Sequence, residues 1–284
     1  MKTGELQIRR TKSFDWSNFA LRAASGAVLA AAALWTVWVF DLGGLWRAPF
    51  LILIAGGGAL MASEWASMAS RKTYRLSALV IGSAVVAVVI LAFVRQFGIA
   101  WGVIALGALC AAALAARAGE RPLDAAYGVL YIAPAGLVII WLRESLQGRG
   151  WTLMMFASTW AADVCAFLVG SALKGPKLWP RFSPNKTWTG FLGGLAGAMI
   201  ACVAVAAAAM RLSLAGAAVI GLAGGLATMA GDLWESILKR RFGVKDAGDI
   251  IPGHGGLLDR ADGLMFAVMV FAVARLVVRF GWAH

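Results

Sequence analysis

The chain has few of the side chains from which soft-metal centres and disulfide frameworks are built. It carries two histidines and three cysteines in 284 residues. Cys110, Cys165 and Cys202 are far apart in apolar stretches and form no CxxC pair, so neither a zinc site nor a set of disulfides is expected. We interpret all three as small buried hydrophobic residues.

Charged residues are also scarce, at 14%, whereas 61% of the residues are apolar. A soluble domain carries about 25% charged and roughly 45–50% apolar residues. The apolar residues fall in long blocks rather than in the short stripes of a soluble core. This composition argues against a soluble enzyme and predicts that lipid covers most of the surface.

The apolar blocks predict an all-α fold, a polytopic membrane helical bundle of about nine transmembrane helices. A helix needs about 20 apolar residues to cross the hydrocarbon. We divide the chain into an N-terminal transmembrane region of about five spans, 1–150, and a C-terminal region, 151–284. The first apolar run, 23–40, is longer than the core of a secretory signal and is expected to be retained. The predicted spans are 20–40, 46–63, 76–94, 99–116, 125–142, 151–170, 188–210, 213–233 and 262–281.

The net charge of +12 raises the question of an anionic partner. Nucleic acid is one candidate, but the basic cytoplasmic loops of membrane proteins explain the charge without it, so no nucleic-acid partner is expected. If the N-terminus is cytoplasmic, 19 Lys and Arg residues fall inside and 7 outside. This bias predicts a cytoplasmic N-terminus and an outside C-terminus. The seven outer residues are Arg47, Arg95, Arg143, Arg149, Arg211, Arg275 and Arg279.

Acidic residues cluster near the C-terminal end of the chain. Six of the fourteen lie within 31 residues, and carboxylates at the edge of a bilayer are costly unless they pair or bind a cation. On a helix, Asp232, Glu235 and Lys239 would share one face with Ser236, which is also what a solvated helix end with internal ion pairs would show. The six are Asp232, Glu235, Asp246, Asp249, Asp259 and Asp262.

A glycine-rich segment, 251–256, lies inside this acidic stretch. Its glycines permit positive φ angles, and its exposed backbone N–H groups suit phosphate oxygens. Asp259, Arg260 and Asp262 follow directly, so hard oxygen ligands and a guanidinium group arrive together. We interpret the stretch as a phosphate and metal site.

A second polar segment, 171–187, is predicted on the same side of the membrane. It ends in Ser183-Pro-Asn-Lys186-Thr187, which directly precedes a span. Asp163 lies inside the preceding span, where a carboxylate is a candidate functional residue by default. Glu64, near the end of the second span, is interpreted as an interfacial residue.

These residues resemble a known family. The run from Ser236 to Asp262 is similar to the signature of phosphatidate cytidylyltransferases, also called CDP-diacylglycerol synthases, and 183–190 resembles the family's Ser-Pro-Lys-Lys-Thr-x-Glu-Gly motif. Asp163 and Gly170 resemble its Asp-x-x-Ala-Tyr-x-x-Gly element. The sequence departs from the family at Thr189 (usually Glu), Asn185 (often Lys), Phe167 (commonly Tyr) and Ala261, which is smaller than usual.

The resemblance implies transfer of a cytidylyl group from CTP to phosphatidate, giving CDP-diacylglycerol and pyrophosphate in phospholipid biosynthesis. The Ala-rich composition and the lack of eukaryotic targeting elements suggest a bacterial inner membrane. The resemblance also implies Mg²⁺, held by Asp232 and Asp259, which we expect to meet at the inner edge of the bilayer; a second cation, and ligands at Asp163, Asp246 and Asp262, remain open. A monomer and a homodimer both remain open. The implied catalytic residues are Asp232, Lys239, Asp246, Asp259 and Arg260. The implied substrate-binding residues are Ser183, Lys186, Thr187, Ser236, Arg240, Lys245, His254, Gly255 and Gly256.

Other classes of protein are compatible with parts of the pattern. An ion or proton transporter would use Asp163 and Asp232 as its charge pathway, but it does not explain the glycine-rich loop. A CTP-dependent lipid kinase and a cytidylyltransferase for another lipid phosphate would differ in their products. A membrane scaffold accounts only for the hydrophobicity.

Overall fold

A computed structural model describes residues 16–180, 183–248 and 255–280, and the side chains from Ser25 onward apart from that of Pro184. The described residues form nine helices that are long and apolar enough to cross a membrane. The predicted helical membrane bundle is confirmed. The helices are α1 (Trp16–Val39), α2 (Ala48–Ala69), α3 (Tyr74–Phe93), α4 (Phe97–Arg117), α5 (Pro122–Glu144), α6 (Gly148–Leu173), α7 (Trp188–Ala209), α8 (Leu214–Phe242) and α9 (Leu258–Arg279).

Helix α8 continues well beyond the apolar run, so the predicted end of the eighth span at 233 was wrong. Within its charged extension, Glu235 and Lys239 lie one turn apart and form an ion pair of 3.4 Å that supports the helix. The helix ends at Phe242, and its capping residue Gly243 has a φ of 71°, in the left-handed region that favours glycine. The extension carries the acidic face away from the apolar part of the bundle.

The polar segment between α6 and α7 folds as a two-stranded antiparallel hairpin rather than as the loop expected from the sequence. Its strands are β1 (Lys177–Trp179) and β2 (Ser183–Thr187), with Lys177 opposite Thr187 and Trp179 opposite Ser183. Thr187 also caps α7, because its side-chain oxygen accepts a hydrogen bond from the Gly190 amide at 3.1 Å. The hairpin is thereby fixed to the beginning of a membrane helix.

Close packing brings Gly231 of α8 against the first turns of α9. A Cβ atom on Gly231 would lie 2.4 Å from the Asp262 carbonyl oxygen, so only glycine allows this approach. Asp232 and Asp262 are consequently held on neighbouring helices. The contact positions the acidic faces of α8 and α9 side by side.

Two smaller expectations can be compared with the structure. Cys202 is buried, but Cys165 is half-buried and Cys110 is exposed on α4, so the expectation that all three are buried was wrong. In a membrane bundle an apolar side chain on the outer face contacts lipid, and burial in protein is not required. The division at residue 150 stays a prediction, and α5 and α9 contact each other across it.

Candidate functional site

The polar residues at one end of the bundle form a cluster that we call the carboxylate–lysine cluster. It contains Lys186 from β2, Asp232, Glu235 and Lys239 from α8, and Asp259 and Asp262 from α9. The N-terminal half of the chain contributes Glu64 from α2. Segments that are distant in sequence therefore converge at the place where three helices and the hairpin meet.

Two lysine–carboxylate pairs define the cluster. Lys186 forms an ion pair with Asp232, joining the hairpin to α8. Lys239 lies 2.5 Å from Asp259 and 3.4 Å from Glu235, joining α8 to the start of α9. Each lysine supplies a cation to carboxylates that would otherwise be poorly solvated.

Asp259 is fixed by the backbone as well as by Lys239. Its Oδ2 atom accepts hydrogen bonds from the amides of Ala247 at 2.9 Å and Gly256 at 3.1 Å. These contacts bind the loop after α8 and the loop before α9 to one carboxylate. Asp259 is therefore both a charged group of the cluster and the anchor of its loops.

Gly255 and Gly256 allow the backbone to pass close to the Asp259 carboxylate. Gly255 has a φ of 84°, in the region that favours glycine. A Cβ atom on Gly256 would lie 2.9 Å from the Gly248 nitrogen and 3.0 Å from Asp259 Oδ2. Gly255 therefore allows the turn, and the absence of a side chain on Gly256 allows the backbone to approach the carboxylate.

Glu64 was interpreted as an interfacial residue, and this interpretation was wrong. The residue is 3% exposed, and its two carboxylate oxygens accept hydrogen bonds from the amides of Leu257 at 2.8 Å and Leu258 at 2.7 Å. It therefore caps the beginning of α9 from another helix. The sequence offered only a carboxylate near the end of an apolar run, and its partners lie more than 190 residues away.

Glu235 and Asp262 form the buried part of the cluster. Their carboxyl groups adjoin, and Glu235 Oε1 has no hydrogen-bond partner among the described residues. Glu235 is 1% exposed and Asp262 8%. Two adjoining buried carboxyl groups need a proton or a cation to offset their repulsion, which makes this pair a candidate cation site.

Asp232 and Asp259, which were expected to meet, are each paired with a different lysine. A chain of charged neighbours connects them, running from Asp232 through Asp262 and Glu235 to Asp259. Among the described residues, no three His, Cys, Asp or Glu side chains are arranged to hold a metal ion. The assignment of a metal to Asp232 and Asp259 stays a prediction.

Asp163 lies on α6 within electrostatic range of Asp232, Lys186 and Arg260. Its side chain is exposed, as are those of Val164, Phe167 and Leu168 along the same helix. The intramembrane carboxylate thus belongs to the surroundings of the cluster. It also marks a side of the cluster that is not covered by another described helix.

The remaining predicted residues occupy the rim of the cluster. Ser183 and Ser236 are half-buried on the hairpin and α8, whereas Arg240, Lys245, Asp246 and Arg260 are exposed. Arg240 donates to the Val244 carbonyl at 3.5 Å. His254 lies outside the described residues. The roles of all these residues stay predictions.

Thr189, which stands where the resembled motif has Glu, takes part in local structure. Its hydroxyl oxygen accepts a hydrogen bond from the Gly175 amide at 3.2 Å and lies 3.1 Å from the Thr187 hydroxyl. These contacts connect the end of α6 to the beginning of α7. The threonine therefore supports the hairpin without adding a carboxylate to the cluster.

Comparison with known proteins identifies the family of the chain. The Cytidylyltransferase family matches residues 20–278, and the chain belongs to that family. The phosphatidate cytidylyltransferase of Brucella suis biovar 1 (strain 1330) is 36% identical over 284 residues, which cover 93% of this chain and 94% of that protein. That of Staphylococcus saprophyticus subsp. saprophyticus is 39% identical over 148 residues, 51% of this chain and 57% of its own length. The resemblance identified from the sequence is confirmed.

Proposed function

We propose that this chain transfers a cytidylyl group from CTP to phosphatidate, giving CDP-diacylglycerol and pyrophosphate. The observation that carries the proposal is the carboxylate–lysine cluster at one end of a membrane bundle, in a member of the cytidylyltransferase family. The names of the Brucella and Staphylococcus relatives support the same activity. A lipid substrate and a charged nucleotide both require a site at the boundary between membrane and water.

The reaction needs positioning and charge neutralisation more than it needs a nucleophilic side chain. A phosphate oxygen of phosphatidate attacks the α-phosphorus of CTP, a new P–O bond forms, and the bond to pyrophosphate breaks. The attacking oxygen is already anionic. The protein therefore contributes by aligning attacking and leaving oxygens and by offsetting negative charge.

Lys186 and Lys239 are the residues we assign to the phosphates. Each is held by a carboxylate, with Lys186 25% and Lys239 15% exposed, so their side chains are ordered before substrate arrives. A triphosphate offers more negative charge than one carboxylate, and each ammonium group has three donors to share. The exposed Arg240, Lys245 and Arg260 extend the basic rim toward the substrate phosphates.

The residues of the cluster fit a requirement for Mg²⁺. Magnesium is bound by one or two carboxylates, water and substrate phosphates more often than by a complete protein cage, so Asp232 and Asp259 would suffice on the protein side. When bound, the ion would neutralise and orient the triphosphate. The adjoining carboxyl groups of Glu235 and Asp262 offer a place for a second cation.

Access to the cluster is consistent with one substrate from the bilayer and one from water. Asp163 and its exposed neighbours Phe167 and Leu168 on α6 leave a lateral side from which a lipid headgroup could enter. The hairpin and the loops next to α8 and α9 provide the other side. We assign this end to the cytoplasm of a bacterium, with the protein in the inner membrane, the N-terminus inside and the C-terminus outside.

The test is incubation of the purified full-length chain with phosphatidate, CTP labelled at the α-phosphate, and Mg²⁺. Labelled CDP-diacylglycerol, identified by mass spectrometry after lipid extraction, is the expected product, and a chelator in excess of Mg²⁺ should abolish it. A phosphorylated lipid or a different CDP-lipid would contradict the proposed substrates. No labelled lipid from the folded protein would contradict the function.

The carboxylate assignment is tested separately with Asp232→Asn and Asp259→Asn. Each variant should lose about a hundredfold or more of the activity, because it removes charge at the centre of the site. Glu120→Gln is the matched control, since Glu120 is a carboxylate at the same end of the bundle that hydrogen-bonds the Lys72 amide and the Thr73 hydroxyl. Full activity in either aspartate variant would contradict its role.

A further inference from the structure

The end of the bundle opposite the carboxylate–lysine cluster contains two cavities lined by arginine. The first has a volume of about 720 Å³ and the second about 510 Å³, and they share Ser145, Leu146 and Gln147 as lining residues. The seven arginines that the sequence placed on the outer side all line one of these two cavities. The first is lined by Arg47, Arg95, Arg143 and Arg149, and the second by Arg211, Arg275 and Arg279.

The arginines of the first cavity are explained by ion pairs within the protein. Arg47 and Arg95 both pair with Glu144, the latter at 2.9 Å. Arg143 and Arg149 both pair with Asp41, the latter at 3.2 Å. These pairs join the ends of several helices, and they give the first cavity a structural role.

The second cavity has no equivalent carboxylates. Among the described residues that line it there is no Asp or Glu, and no described carboxylate forms an ion pair with Arg211, Arg275 or Arg279. Three guanidinium groups thus face one cavity without an opposite charge from the described protein. Such an arrangement is repulsive unless an anion enters.

Arg275 makes the strongest case because it is buried. It is 8% exposed, and its described contacts are a 3.4 Å hydrogen bond from Nε to the Ser145 hydroxyl and an approach of 5.9 Å to the Trp151 ring. A guanidinium group has five donors, and a buried guanidinium group without an opposite charge is strongly unfavourable. The other donors of Arg275 are available for a ligand in the cavity.

Favourable interaction with a helix dipole does not account for all three arginines. Arg279 is exposed at the C-terminal end of α9, where a cation is stabilised. Arg211 lies instead between α7 and α8, and Arg275 is buried one turn before Arg279. Convergence on one cavity requires a further reason.

We propose that the second cavity binds the phosphate group of a phospholipid in the membrane leaflet opposite the carboxylate–lysine cluster. Guanidinium groups match phosphate oxygens in geometry and charge. The rest of the lining is largely apolar and includes Trp141, Trp151, Leu212 and Val278. Tryptophan favours the membrane interface, and apolar walls suit the glycerol and first acyl carbons of a lipid better than they suit a free ion.

The experiment measures lipid binding to the purified full-length chain by native mass spectrometry and by the shift in Tm. Phosphatidylglycerol should bind and raise the Tm, whereas diacylglycerol, which lacks the phosphate, should not. Arg275→Gln and Arg211→Gln should each weaken phosphatidylglycerol binding about tenfold or more, as expected for loss of a charged hydrogen bond. Arg211 is exposed, so its variant tests the site even if Arg275→Gln does not fold.

Arg95→Gln is the matched control, because it removes an exposed arginine of the first cavity at the same end of the bundle. It should bind phosphatidylglycerol as the unmodified chain does. Equal binding by Arg211→Gln, or an equal loss in Arg95→Gln, would overturn the proposal. A Tm shift of the same size with inorganic phosphate alone would show a site for the free ion and would overturn the assignment to lipid. None of these outcomes depends on cytidylyl transfer.

Discussion

The two ends of the bundle solve the problem of charge at a membrane boundary in different ways. At the end that holds the carboxylate–lysine cluster, Lys186 and Lys239 are paired with Asp232 and Asp259, and the loops around them are held by hydrogen bonds from backbone amides to Asp259. At the opposite end the cations are all arginines, and only the first of the two cavities supplies carboxylates. A compact ammonium group can exchange one anionic partner for another, whereas the planar guanidinium group suits fixed pairs and bidentate anions.

The two ends also differ in how their carboxylates are paired, and this difference predicts different effects of mutation. The carboxylates of the carboxylate–lysine cluster converge on one place, and two of them, Glu235 and Asp262, adjoin. Those at the opposite end each face two arginines from different elements. We therefore expect changes in the carboxylate–lysine cluster to alter turnover and changes in the first arginine cavity to alter folding.

The largest effect on turnover is expected from Lys239→Met. The substitution leaves Glu235 and Asp259 without their shared cation, and we expect kcat/KM to fall about a hundredfold or more. Labelled-CTP turnover of the purified variant is the measurement. Lys177→Met, at an exposed lysine of the hairpin, is the control and should stay within about twofold of the parent. Near-normal turnover in Lys239→Met would contradict the expectation that the carboxylate–lysine cluster controls turnover.

Gly256→Ala should have the next largest effect. The added methyl group would press against the Gly248 nitrogen and the Asp259 carboxylate, and a displacement of about 1 Å at a reacting group can cost about a hundredfold in rate. We expect a loss of about tenfold to a hundredfold in kcat. Gly102→Ala on α4 is the control, because a Cβ there would meet no atom within 4 Å. Similar kinetics for both variants would contradict the steric role of Gly256.

Glu64→Gln should reduce turnover less, by about tenfold. The amide side chain keeps one acceptor for the Leu257 and Leu258 amides but loses the charge and the second acceptor. The expected loss of stability is about 1–3 kcal/mol. Kinetics and thermal unfolding, measured together and beside Glu120→Gln, distinguish a loosened loop from a general loss of folding. An unchanged Tm with unchanged kcat would contradict the capping role.

The smallest effect on turnover is expected from Arg143→Gln in the first arginine cavity. Arg143 is 4% exposed and pairs with Asp41, so its loss should cost about 3–5 kcal/mol of stability while kcat/KM per folded molecule is unchanged. Arg95→Gln, at an exposed pair, should cost less than about 1 kcal/mol. A fall in kcat/KM without a fall in Tm would show that the two ends are coupled. It would contradict the expectation that the first arginine cavity affects only folding.

Much of the fold and part of the site could be predicted because their signals are local. Long apolar blocks predicted the membrane helices, with most boundaries close to those observed. The run from Ser236 to Asp262 predicted the family. The end of α8 was misplaced because hydropathy marks where apolar residues stop, whereas the helix continues through the Glu235–Lys239 pair. The hairpin was missed because its register depends on pairing rather than on a hydrophobic period.

Glu64 shows most clearly what could not be predicted. Its partners Leu257 and Leu258 follow it by more than 190 positions, and no local pattern indicates that α2 ends beside the start of α9. The expected meeting of Asp232 and Asp259 illustrates the same difficulty. Both residues are in the cluster, but side-chain packing decided that each would pair with a different lysine.

The sequence by itself determined that the chain is a helical membrane protein of the cytidylyltransferase family, because hydrophobic blocks and a continuous signature are properties of neighbouring residues. Only the tertiary structure decided which charges meet. The pairing of Lys186 with Asp232, the support of α9 by Glu64 and the gathering of seven arginines around two cavities all depend on how helices from distant parts of the chain pack. Packing of that kind is set by many contacts together, and no single segment of sequence contains it.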